Sequence, residues 1–149
     1  TKTISQDSQS IIKLRVKVNE LDNTLCEFGA ILDDDNKVLF SFDTTEGTTW
    51  YTKTVNATTL INNNTTVTAD TDWHVFKIVF RTNEIDFYID DVLVSTHTTN
   101  LSNTLMRFYI RQESKSNVIR NTLVDYVKIT GGRDGNPIGS GNSSLCVIS

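Results

Sequence analysis

Positive charge, proline, cysteine and long apolar runs are all scarce in this chain, and most of these shortages remove a class of function. Lys and Arg total 14 against 18 Asp and Glu, a net charge of −4 with a pI near 5.0. Phosphate backbones are held by clustered Lys and Arg, so nucleic acid is not an expected partner. No apolar run approaches the roughly 18 residues that a membrane-crossing helix needs, so no membrane span is expected. Cys26 and Cys146 permit one disulfide at most. A bridge would tie the C-terminus onto a strand-like run; the alternative is one buried thiol and one mobile one. The cysteines do not settle the redox compartment. The chain opens on Thr1 without a signal-like segment and reads as an excised domain or a mature chain.

Common catalytic motifs are missing too. There is no G-x-S-x-G, no H-E-x-x-H and no phosphate-cradling Gly loop. His74 and His97 are the only histidines, each in a strand-like run, where a surface or hydrogen-bonded His is commoner than a catalytic base.

What the chain does have is alternation. Its 149 residues suit one domain with a core, and a hydrophobic content of 38% leaves room for many half-exposed strands joined by polar turns. Ile12, Leu14, Val16 and Val18 alternate with Lys13, Arg15 and Lys17, the period-two pattern of a strand with one wet face. Leu25 to Leu32, the turn Asp33-Asp34-Asp35-Asn36, and Val38, Phe40 and Phe42 read as a hairpin. Trp50 to Val55 and Thr65 to Ala69 read as shorter strands around an Asn62-Asn63-Asn64 turn, and Leu105 to Arg111 and Leu123 to Thr130 follow later. No convincing helix appears. N-x-S/T sequons at Asn56, Asn63, Asn64, Asn100 and Asn142 are easily explained by a composition rich in Asn and Thr.

Trp73 to Val94, WHVFKIVFRTNEIDFYIDDVLV, carries the most information. Phe76, Ile78 and Phe80 share one face, Ile85, Phe87 and Ile89 another, and Asp90-Asp91 makes a tight turn into a third strand. Trp73 reads as core. The stretch resembles the hairpin of the concanavalin A-like lectin/glucanase superfamily, which includes laminin-G-like domains and the family-16 glycoside hydrolases. There the turn is usually Asp-Gly; Asp91 stands in the Gly position, where a type I′ turn needs positive φ. Val124-Asp125-Tyr126-Val127-Lys128-Ile129 is similar to that superfamily's closing strand V-D-Y-V-R-V. The order EFGAILDDDNKVLFSFDTT, TTWYTKTVN, the Trp73 hairpin and LMRFYIR resembles laminin-G-like modules of phage and viral surface proteins. The resemblance implies an all-β fold, an antiparallel jelly-roll sandwich of roughly ten to fourteen strands. It would span residues 1–130, with a Gly/Ser/Asn-rich tail or linker at 131–149.

The hydrolase branch carries its catalytic carboxylates as E-x-D-x-E on one strand, because alternate strand residues share a face and can flank one sugar bond. The nearest copy, Glu84-Ile85-Asp86-Phe87-Tyr88, lacks the second Glu and lies in the hairpin after the catalytic strand. The equivalent strand falls near Leu25 to Leu32 and holds only Glu27. On this reading the chain is not an enzyme.

Binding is expected instead. Arg107, Tyr109 and Arg111 alternate with Met106, Phe108 and Ile110, so two guanidiniums and a phenol form a row that can stack on a sugar and pair with carboxylate or sulfate. Trp50 and Tyr51 offer a second stacking platform, or else ordinary sandwich packing. Through the resemblance, Asp125 matches a structural-calcium ligand; the acidic turn at Asp33 to Asn36 is a weaker metal candidate. The leading expectation is a lectin-like module binding a glycan, one that could be acidic, on an extracellular or virion surface, as a receptor-binding or adhesion part. The rival is an assembly module that oligomerises through Leu145-Cys146-Val147-Ile148, and a glycoside hydrolase or polysaccharide lyase comes third.

Overall fold

The computed structural model describes residues 3–5 and 9–131. Ten strands follow one another in chain order, and no helix occurs among the described residues. They are β1 (Ile11–Val18), β2 (Thr24–Asp33), β3 (Asn36–Asp43), β4 (Thr49–Asn56), β5 (Thr59–Thr68), β6 (His74–Phe80), β7 (Ile85–Ile89), β8 (Val92–His97), β9 (Arg107–Ser114) and β10 (Thr122–Thr130). Two five-stranded sheets result, ordered β10-β1-β6-β7-β8 and β5-β4-β3-β2-β9, with antiparallel pairing throughout. This is the all-β sandwich that the alternation implied. No helix of the described residues could cross a membrane.

Period-two patterning decides which side of each sheet is dry. In β1 the burial alternates strictly, with Ile12, Leu14, Val16 and Val18 inside. Phe28 and Phe40 from one sheet meet Phe76 and Phe87 from the other. Phe28 and Phe76 centroids lie 4.8 Å apart, and Phe40 stands edge-on to Phe87 at 5.3 Å. Edge-to-face pairs contribute about 0.5–1.5 kcal/mol beyond their burial, so these rings fix the register of one sheet on the other as well as filling the space.

Turn chemistry sets the hairpins. Asp90 and Asp91 both take positive φ (51° and 63°), and the Asp90 carboxylate accepts from the Val75 backbone N–H at 2.8 Å. That bond ties the turn to β6, and Asp91, in the Gly position, takes positive φ as Asp does more readily than most other non-Gly residues. The hairpin β4–β5 turns at Ala57-Thr58, with φ of 47° and 77°. Asn62, Asn63 and Asn64 instead pair with Lys53, Thr52 and Tyr51 inside β5. The expected Asn turn is therefore a strand, because its pairing with β4 outweighs the turn preference of three asparagines. Trp73 is not core either: it is half-buried, with the Arg15 guanidinium 4.9 Å from its ring centroid.

His97 joins the sheets by polar contact. Its ring nitrogens hydrogen-bond the Thr52 and Thr54 hydroxyls, each at 2.9 Å, across to β4. Burial pushes the imidazole down to about 4, so it stays neutral near pH 7.

Candidate functional site

The outer face of the β5-β4-β3-β2-β9 sheet gathers polar and aromatic side chains from all five strands. Register lines them up in rows. One row runs Arg111, Glu27, Ser41, Tyr51, Asn64, and the next runs Tyr109, Gly29, Leu39, Lys53, Asn62. Arg107 lies a further step along, opposite Ile31.

Glu27 lies on this face on β2, between the central strand β3 and the edge strand β9. Cys26, Phe28 and Ala30 point inward from the same strand, so Glu27 must point out. Its carboxylate accepts from the Ser41 hydroxyl at 3.4 Å, and Arg111 Nη1 lies 4.0 Å away. The other Arg111 nitrogen, Nη2, donates to Glu113. Glu113 follows Arg111 by two residues on β9 and shares its face, so Arg111 stands between two carboxylates. Burial and the Glu27 charge hold the Tyr109 phenol above its usual range, although Arg111 pulls the other way, and it stays protonated.

The far side of the face is a second polar network. Lys53 pairs with Glu46 at 2.8 Å, the Tyr51 hydroxyl donates to the Glu46 backbone carbonyl at 3.1 Å, and Asn64 donates to Tyr51 at 3.4 Å. Between the two networks Leu39 and Ser41 point outward yet are 1% and 0% exposed. The longer side chains of their rows close over them. A cleft of about 550 Å³ at the end of the strands, lined by Asn23, Phe42, Thr44, Gly47 and Thr68, does not reach Glu27. The face around Glu27 suits an extended chain laid across strands.

Gly29 has a backbone reason for lacking a side chain. Its φ is 153°, and a Cβ there would come within 2.1 Å of the Val38 carbonyl oxygen. Glu27, Gly29 and Ile31 take alternate outward positions on β2, and of the three only Glu27 carries a carboxylate. The other acidic copy, at Glu84 and Asp86, is on the opposite sheet. Asp86 is 6% exposed there and bound by Arg81 at 2.9 Å and Thr96 at 2.7 Å.

Several expected site residues move. Arg107, Tyr109, Arg111 and Tyr51 do share the outer face, on β9 and β4 either side of β2 and β3. Trp50 does not: at 3% exposure it packs among Phe28, Phe42 and Phe76. The correction follows from parity, since Trp50, Thr52 and Thr54 alternate inward while Tyr51 and Lys53 alternate outward. Arg111 is engaged by carboxylates, which weakens the case for an acidic sugar on this face. Asp125 accepts a hydrogen bond from Arg15 at 2.9 Å, and no group of three or more His, Cys, Asp and Glu side chains that could hold a metal occurs among the described residues. A guanidinium against the carboxylate is a poor setting for a dication, so the residues present do not fit a calcium site at Asp125. Cys26 faces the core, its thiol pushed up to about 12 by burial; Cys146 and the tail lie outside the described residues. Sequence reading missed Glu113 and Glu46. The alternation Arg111-x-Glu113 would have placed Glu113 on the face had the strand been extended by two residues.

Two five-stranded antiparallel sheets packed face to face define a jelly-roll sandwich. Residues 37–123 match the model of glycosyl hydrolases family 16, and the chain belongs to that family. Among solved structures it resembles a glycosyl hydrolase family protein from Mycobacterium fortuitum (TM-score 0.66, 15% identity, covering 82% of this chain and 63% of that one). A β-glucanase from Bacillus licheniformis matches with TM-score 0.60 at 15% identity, over 79% of this chain and 57% of that one. A carbohydrate-binding module from Bacillus subtilis matches with TM-score 0.59 at 11% identity, over 82% and 74%. No curated protein matches the chain. The chain therefore spans less than two thirds of the two hydrolases it resembles.

Family membership corrects the expectation that the chain is not an enzyme, because the chain belongs to a family of glycosyl hydrolases. That expectation sought both carboxylates in a single strand, whereas sheet register also brings carboxylates from neighbouring strands onto one face.

Proposed function

We propose that the domain hydrolyses glycosidic bonds in a polysaccharide laid across the outer face of the β5-β4-β3-β2-β9 sheet. The observation that carries this is Glu27, an outward carboxylate on β2 between Ser41 and Arg111, in a chain whose residues 37–123 match family 16. This supports hydrolysis over the lectin-like receptor-binding reading.

Glycoside hydrolysis needs two carboxyl groups flanking the bond. One gives a proton to the leaving oxygen while the other acts on the anomeric carbon or on the attacking water, and water is added across the bond. Glu27 is one of the pair. Glu113 is the nearest partner by register, on the adjacent strand and joined to Glu27 through Arg111. Tyr109 and Tyr51 flank the carboxylate on either side and can stack on or hydrogen-bond sugar rings. A polymeric substrate also agrees with an extracellular place of work.

Release of reducing ends from β-glucans tests the proposal. The wild type should release them and Glu27→Gln should not, with the fold intact by circular dichroism. A wild type that binds β-glucan but never cuts it would overturn hydrolysis and leave a sugar-binding face, as in the similar carbohydrate-binding module.

A further inference from the structure

The opposite sheet, β10-β1-β6-β7-β8, carries a row of positive charge on its own outer face. Its outward residues include Lys13, Arg15 and Lys17 on β1, Lys77 on β6 and Lys128 on β10. Lys13 pairs in register with Lys128 on one side and Lys77 on the other, so three ammonium groups stand side by side across adjacent strands. Like charges directly opposite each other destabilise a sheet. Nothing in the folding of a chain with net charge −4 calls for gathering its cations here.

The negative groups among them are few. Asp91 lies 3.8 Å from Lys13 and 3.3 Å from Lys77, and Asp125 holds Arg15. Asp86 and Glu84 are taken up by Arg81 at the end of the sheet. Lys17 and Lys128 enter no ion pair among the described residues. Aromatic rings steady two of the cations: the Lys77 ammonium lies 4.2 Å from the Tyr88 centroid and Arg15 stacks on Trp73. Such contacts restrict long side chains that would otherwise wander, and so reduce the entropy lost on binding.

We propose that this face is a second glycan site, separate from the Glu27 face, which binds an acidic polysaccharide through its carboxylate or sulfate groups. Adjacent strands set the three lysines about 4.8 Å apart. The row then offers a ladder of charges to a polymer that bears an anion on successive sugars. A neutral glucan gains nothing from it. The site would hold the domain on an acidic matrix while the other face stays open.

Isothermal titration of the full chain with polygalacturonate, against a neutral β-glucan and a short DNA duplex, tests the idea. The acidic glycan should bind, and the triple variant Lys13→Gln, Lys77→Gln, Lys128→Gln should weaken it by roughly tenfold or more. Raising salt to 0.5 M should weaken the wild type in the same direction. Glu27→Gln should leave this affinity unchanged, which separates the site from the hydrolytic one. Unaltered binding in the triple variant overturns the proposal. So does equal binding of DNA, or of anionic lipid vesicles, since either would mean undirected attraction to any polyanion.

Discussion

At the scale of single residues, Glu27 and Gly29 set the chemistry of β2 between them. Glu27→Gln keeps the shape and its place between Ser41 and Arg111 but removes the carboxyl group that the proposed hydrolysis requires. Cleavage should fall by a hundredfold or more, in line with the roughly 10²–10⁴-fold that such groups contribute. Initial-rate assays on a β-glucan would show it. Gly29 admits no added side chain. A Cβ at that position would collide with the Val38 carbonyl, and its φ of 153° disfavours any L side chain. Gly29→Ala should therefore destabilise the domain by about 2–4 kcal/mol through overpacking and backbone strain, read as a lower urea midpoint. A stability equal to wild type would mean the β2–β3 hairpin shifts easily.

At the scale of elements, two histidines tie strands together and pull stability in opposite directions with pH. His97 links β8 to β4, and burial lowers it to about 4 from an ordinary value of 6.5. Its folded pKa is depressed, so the unfolded chain binds the extra proton first. The contribution is complete above pH 6.5 and is lost as pH falls from 6.5 toward 4, on the order of 3 kcal/mol in full. His74 caps the β7–β8 turn. Burial alone would lower it, but hydrogen bonds to Asp90 at 2.5 Å and Asp70 at 2.8 Å hold it above its ordinary value. Its contribution is present below pH 6.5 and is lost as pH rises through its folded pKa. Urea midpoints measured from pH 4 to 9 should fall at both ends. His97→Leu should flatten the acid side only; a slope that survives in that variant would assign it to carboxylates instead.

At the scale of the whole molecule, the sandwich is held by rings that cross from sheet to sheet. Phe76 lies 4.8 Å from Phe28, 5.0 Å from Phe40 and 4.7 Å from Trp50, and is 1% exposed. Phe76→Ala should cost about 3–5 kcal/mol, and its unfolding should stay a single transition if the two sheets share one core. Loss of one sheet ahead of the other, seen as two transitions by calorimetry, would contradict that. Because no acidic cluster supports a metal among the described residues, chelator should leave the melting temperature unchanged. A drop on adding chelator would restore the calcium expectation at Asp125.

Alternation determined most of the strands and the sheet faces of β1, β3, β6 and β7, and so the all-β class, because inward and outward residues differ in kind along a strand. It also placed Arg107, Tyr109 and Arg111 outward, whereas Glu27 was singled out only through the resemblance to the hydrolase branch. What alternation left open was pairing. Which strands lie side by side is a long-range property: β9 lies beside β2, some eighty residues away in the chain, and only that register puts Arg111 and Glu113 next to Glu27. The same holds for Lys128, Lys13 and Lys77, three isolated lysines in the sequence that become one row. Trp50 and Tyr51 show both contributions at their smallest. Parity with Lys53 is the local sign that Tyr51 faces out, and packing of Trp50 against Phe28, Phe42 and Phe76 fixes it as the core residue of the pair.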